Sequence, residues 1–241
     1  MQSFRTPQPA PHSVASLDAE ARGEFVIKVY QHLLLAITAF IGFEAILFTT
    51  GAAEGLFDLL FASGNGTTWL LVLGGFMVVN WMASSAAHRI DNVGLQYAGL
   101  FGLAGAEALI FAPFLYLVFN DVDNGGTTVA AAAALTAFMF TGLSIIAFTT
   151  RKDLSFLRPI LMWGGFAAIG LIVGALIFGL SLGIWFSVAM IALAGGAILY
   201  QTQAIMARYP SEAYVGAAVQ LFASVMLLFW YVLRLLTALR N

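Results

Sequence analysis

The stretch AILYQTQAIMARYPSEAY (197–214), followed by GAAVQLFASVMLLFWYVLRLL (216–236), decides how this chain folds. Two apolar runs, each long enough for a helix, are joined by a short polar turn around Pro210. Their facing positions are expected to carry amide and hydroxyl groups: Gln201, Gln203, Gln220 and Ser224. Polar atoms set into a hydrocarbon-like helix pair are costly unless they meet partners, so they mark an interior. The seam between these two helices is the expected centre of function.

The apolar character extends outward through the whole chain. Of its 241 residues, 61% are hydrophobic and 9% charged, and the mean hydropathy is +0.93. A soluble domain carries about 25% charged residues, so this composition makes a membrane protein whose first partner is the lipid bilayer. A spanning helix needs about 20 apolar residues, and seven stretches qualify: 25–50, 68–87, 93–119, 127–150, 157–180, 182–204 and 213–236. The expected fold is an all-α membrane protein, one seven-helix transmembrane domain over 25–241 behind a flexible cytoplasmic tail, 1–24. That tail is polar and Pro-containing, with no apolar core and cleavage site, so no cleaved signal peptide is expected. A net charge of −2 gives no reason to expect nucleic acid, and the absence of cysteine removes disulfides and thiolate chemistry.

Orientation follows from the basic residues. One side receives Arg5, Arg22, Lys28, Arg89, Arg151, Lys152, Arg158 and Arg208; the other receives only Arg234 and Arg240. The N-terminus is therefore expected inside and the C-terminus on the opposite side. Small residues such as Gly170 and Gly174, spaced as GxxxG, are expected to serve close packing within the bundle.

Few residues are candidates for chemistry. Glu107 lies near the middle of the third span, where an isolated charge costs at least ~2.5–3.5 kcal/mol. It reads either as a proton or cation site or as a protonated carboxyl making one interhelical hydrogen bond. Pro113 can loosen the same helix and free a carbonyl. Glu44 is roughly 9 Å from the outer end of the first span, within reach of the interface or a wet vestibule, and Arg234 is placed to snorkel outward. His32 is expected to pack, and with three histidines in the chain a histidine-rich metal site is not expected. No cofactor is implied. Hydrolase and phosphate-loop motifs (HExxH, GxSxG, a Gly-rich loop opening a helix) do not occur, so no enzyme is expected. A retinal protein would need a lysine in its last helix, and the only lysines are Lys28 and Lys152.

The loop TTRKDLSFLRP (149–159) is richer than orientation requires. Arg151 and Lys152 supply the positive charge, and Asp153 followed by Ser155 is expected to cap the fifth span.

This loop and the seam resemble the Bax inhibitor family of membrane proteins, including its bacterial YccA branch. The resemblance rests on FVIKVYQHL (25–33), FTTRKDLSFL (148–157), AILYQTQAI (197–205) and LFASVMLLFWYVL (221–233). The TTRKDxSFL run is the most specific; the second and third spans match by hydropathy and spacing alone. The resemblance implies six helices surrounding a central seventh. It also implies a bacterial inner-membrane location and one of two activities. One is modulation of the membrane protease FtsH, as for YccA; the other is a pH-controlled calcium leak, with Ca2+ as the permeant ion. Leak members carry an aspartate in each of the last two helix signatures. Gln201 stands at the first of these positions and Ser224 at the second; the YccA branch also has serine at the second but an acid at the first. Two close carboxylates titrate as a coupled pair. Gln201 and Ser224 cannot, so the seam is expected to be a neutral clasp, leaving Glu107 or His88 to carry any proton-linked behaviour.

Overall fold

The computed structural model describes residues 14–61, 66–150 and 152–240. Among them the chain forms a short 3-10 turn, Val14–Ser16, and eight α-helices: α1 Ala19–Thr49, α2 Ala52–Phe61, α3 Gly66–Ala87, α4 Val93–Asp121, α5 Gly125–Thr149, α6 Leu157–Phe178, α7 Ile184–Arg208 and α8 Tyr214–Arg240. Seven are long and apolar enough to cross a membrane. The eighth, α2, is a ten-residue helix in the loop after the first span. It packs on α1 and α4 and carries Glu54 and Asp58.

Local chemistry sets the helix ends. Asp18 starts α1 by accepting the Ala21 amide at 2.8 Å, and Asn92 starts α4 through the Leu95 amide at 3.0 Å. Helix α1 thus begins six residues ahead of Phe25. Of the expected tail, residues 1–13 lie outside the described residues, and the rest forms the 3-10 turn, the cap and the first turns of α1. Between α6 and α7, Gly179 takes φ +65°, which lets the Leu180 amide return to the Ala175 carbonyl at 2.9 Å. Pro113 lies inside α4 without ending it.

Helix α8 is the most deeply placed. In its most apolar window 72% is buried, against 50% or less in every other span. It packs on α1, α3, α4, α5 and α7, whereas α6 rests on α7 and α3. Glycine allows close approach between helices, as two positions show. A Cβ on Gly99 would meet the Ala83 carbonyl at 2.5 Å, and one on Gly216 would meet the His88 ring at 2.9 Å. The expected packing role of Gly170 and Gly174 is not what the bundle shows: a Cβ on either would meet nothing within 4 Å. They lie on α6, which packs on α7 and α3, and face neither.

Candidate functional site

The seam forms between α7 and α8. The Ser224 hydroxyl, on a residue only 6% exposed, donates to Gln201 Oε1 at 2.9 Å. One turn nearer the basic end, Gln220 Oε1 accepts the Tyr209 hydroxyl. Burial, with the neighbouring Tyr200, pushes the Tyr209 phenol up to about 12, so it remains a donor. The Tyr209 carbonyl in turn accepts the Val14 amide at 2.9 Å, tying the start of the described chain to the turn before α8.

Gln203 does not join this seam. Positions two apart on an α-helix point about 200° away from each other, so Gln201 and Gln203 cannot both face α8. Gln203 donates to the Lys152 carbonyl at 2.6 Å and accepts the Leu154 amide at 2.7 Å, pinning the loop after α5.

That loop also departs from expectation. Asp153 and Ser155 do not cap a helix. Helix α6 starts at Leu157 behind Phe156, which makes no side-chain cap, and Asp153 lies too far back to reach the first turn. It accepts instead from the Ser155 hydroxyl and, at 2.9 Å, from the Ser155 amide, closing a local turn. Arg208 donates to Ser155 and lies 3.7 Å from Asp153. The hydrogen bonds from Ser155, helped by Arg208, hold the Asp153 carboxyl below its ordinary value. Arg151 lies outside the described residues.

A crevice of about 610 Å³ opens between α3, α6, α7 and α8 and reaches the seam. Gln201, Gln220 and Ser224 line it from one side, Asn80 and Ser84 from α3, and Arg158 from α6. No Asp or Glu is among its lining residues.

The intramembrane acids lie elsewhere. Glu107 on α4 is 6% exposed and Glu44 on α1 is 7% exposed. Both Glu44 oxygens are buried without a hydrogen-bond partner. Glu107 likewise makes no hydrogen bond to a described residue, so the expected interhelical bond is not formed. The expected reach of Glu44 toward water is also corrected. The buried face of α1 is Phe25, Val29, Leu33, Ala36, Phe40 and Glu44, a three-to-four-residue stripe that ends on the acid. Depth along the helix suggested water; angular position puts the carboxyl in the core.

His32, His88 and Arg234 are engaged. His32 bonds the Tyr97 hydroxyl at 2.8 Å and the Lys28 carbonyl at 2.7 Å, as a packed imidazole. His88 Nδ1 lies 2.6 Å from the Ser84 carbonyl and therefore donates to it. Arg234 does not simply snorkel: it donates to the Leu182 carbonyl at 2.7 Å and lies over the Phe186 ring. No group of three His, Asp or Glu that could hold a metal occurs among the described residues. Sequence reasoning missed Tyr209 and Asn80; Tyr209 directly before Pro210 was the available signal, since a residue preceding proline leaves the helix.

Comparison with known proteins agrees with this architecture. The family described as Inhibitor of apoptosis-promoting Bax1 matches residues 22–241. An uncharacterized protein of Pseudomonas aeruginosa is 34% identical over 142 residues, covering 58% of this chain and 63% of that one. The chain thus matches less than two thirds of that relative's length. A Campylobacter jejuni protein is 30% identical over 202 residues, 78% of this chain and 80% of its own. An uncharacterized membrane protein of Vibrio cholerae is 29% identical over 150 residues, 60% of this chain and 62% of its own. The chain is a multi-pass membrane protein and a member of the Bax inhibitor family.

Proposed function

We propose that this protein regulates membrane-protein quality control, acting on an FtsH-type protease, and is not a pH-gated calcium leak. The observation that carries the reading is the Ser224–Gln201 hydrogen bond, a neutral pair at 2.9 Å beside a crevice without a carboxylate. A cation path through that crevice would pass Arg158, its one charged lining residue, with no carboxylate to offset the repulsion. A regulator needs no ion path. The docked N-terminal turn, the loop from Lys152 to Ser155 and Arg208 form a surface at the basic end, which this reading places on the cytoplasmic side of a bacterial inner membrane. The test measures the half-life of an FtsH membrane substrate in cells lacking or overproducing the protein. Overproduction is expected to lengthen it, and identical half-lives in both would sink the reading.

One observation favours the alternative of a leak: Glu44 and Glu107 are buried acids, and both Glu44 oxygens lack a hydrogen-bond partner among the described residues, so either acid can exchange a proton or meet a cation. That alternative requires calcium flux in proteoliposomes that falls in Glu107→Gln. Protein that passes no calcium between about pH 5 and 8, the range in which histidine titrates, removes it.

A further inference from the structure

The crevice beside the seam has a chemistry that a neutral clasp does not use. Its polar wall is rich in donors. Arg158 makes no side-chain hydrogen bond or ion pair to a described residue, whereas Arg22, Arg208, Arg234 and Arg240 all do. The amide nitrogens of Gln201 and Gln220 are also without partners among the described residues, since only their oxygens are engaged. Asn80 adds a third such amide. Arg158 is the one charged side chain among the crevice's lining residues, so the wall carries a net positive charge. An anion would meet that charge and the amide donors at once, while a cation would be repelled by it.

Depth and opening narrow the ligand. Arg158 is in the first turn of α6 and Asn80 about two turns from the end of α3, so the polar wall begins near the membrane surface at the basic end. Trp81 and Met162 line the same crevice yet are 72% and 55% exposed, so its mouth faces acyl chains sideways. The ligand therefore has an anionic head and an apolar body. We propose that the crevice binds the phosphate head of an anionic glycerophospholipid, with Arg158 as counter-ion and Asn80, Gln201 and Gln220 as hydrogen-bond donors. Its volume of about 610 Å³ lies within the roughly 300–1,000 Å³ of small-molecule sites. Basic pockets between spanning helices are a recurrent way of holding such heads. The proposal is independent of the protease reading.

The full chain is reconstituted with equal phosphatidylglycerol and phosphatidylcholine, extracted in mild detergent, and its retained lipid counted by native mass spectrometry. Phosphatidylglycerol is expected in about fivefold excess, the ratio one basic side chain near an anionic lipid supplies. The excess is expected to vanish in Arg158→Gln and to persist in Arg158→Lys and in Arg89→Gln, which removes a charge outside the crevice. Equal retention of the two lipids, survival of the preference in Arg158→Gln, or its equal loss in Arg89→Gln overturns the proposal. Inorganic phosphate is titrated in parallel; displacement of the lipid by millimolar phosphate assigns the site to a soluble anion and also overturns it. A second readout needs no Arg158 variant: brominated phosphatidylglycerol is expected to quench wild-type fluorescence more than brominated phosphatidylcholine. That difference is expected to disappear in Trp81→Phe, and its persistence counts against the site.

Discussion

The α7–α8 seam and the α1–α4 interface both carry polar groups through an apolar interior, and they treat them in opposite ways. At the seam every engaged group is neutral and paired: Ser224 with Gln201, Tyr209 with Gln220. Deep in α1 and α4 stand two buried acids with no hydrogen bond to a described residue, Glu44 and Glu107, offset along the helices on either side of the Phe40–Phe111 ring contact at 5.3 Å. The family's leak members are known by a titratable pair at the positions of Gln201 and Ser224. Here those positions hold a bond that protons do not alter, and the groups able to change charge lie on other helices. The paired neutral groups and the buried carboxyls thus lie on different helices.

The sharpest way to break the contrast is to remove an unpaired acid. Glu44→Leu trades a buried carboxyl without a partner for an apolar side chain on the core-facing stripe of α1, and is expected to stabilise the protein by about 1–3 kcal/mol. The readout is the unfolding midpoint in detergent. A fall instead would mean that the folded bundle uses the carboxylate, and the contrast between the two regions would dissolve. Ser224→Ala should act in the other direction and less strongly, costing about 0.6–1 kcal/mol by leaving Gln201 Oε1 unmatched. Its unfolding profile is expected to shift by the same amount across pH 5 to 8; a shift that grows with pH would show a titrating group at the seam after all.

The smallest effect lies outside the membrane. The Asp153 carboxyl is held below its ordinary value in the folded protein, so its turn with Ser155 and Arg208 is fully formed above the usual carboxylate range near pH 4. The turn loosens as pH falls through the lower folded value. Hydrogen-exchange protection at residues 152–156, taken relative to the intrinsic rate at each pH, is expected to fall below about pH 4 in the wild type. In Asp153→Asn protection should already be lower at neutral pH and lose little on acidification; matching acid responses in the two proteins would rule out Asp153 as the cause.

Hydropathy made the spans legible because a bilayer demands long apolar runs, and those runs are visible without neighbours. The same criterion concealed α2, whose ten residues are too few to cross and which includes two acids. The Ser224–Gln201 pair was readable because polar residues in apolar helices require partners. The fate of Gln203 was also available from helical periodicity, since two residues cannot lie 200° apart and face one helix. For Glu44, distance to the helix end misled, and the stripe from Phe25 to Phe40 was the better guide. Asp153 and Arg234 could not be read this way. Their partners, Arg208 and the Leu182 carbonyl, are more than fifty positions distant along the chain, and only the folded bundle brings them near.

The deep burial of α8 has a consequence for the order of assembly. Synthesis runs from the N-terminus, so the most enclosed helix leaves the ribosome after the other seven described helices. Until it arrives, the spans made earlier must hold their inward faces, Glu107 among them, against lipid or one another. The turn that accepts the Val14 amide is also completed only then, so the first described residue waits for nearly the whole chain. A nascent chain stopped before Ala213 therefore holds a shell without its filling.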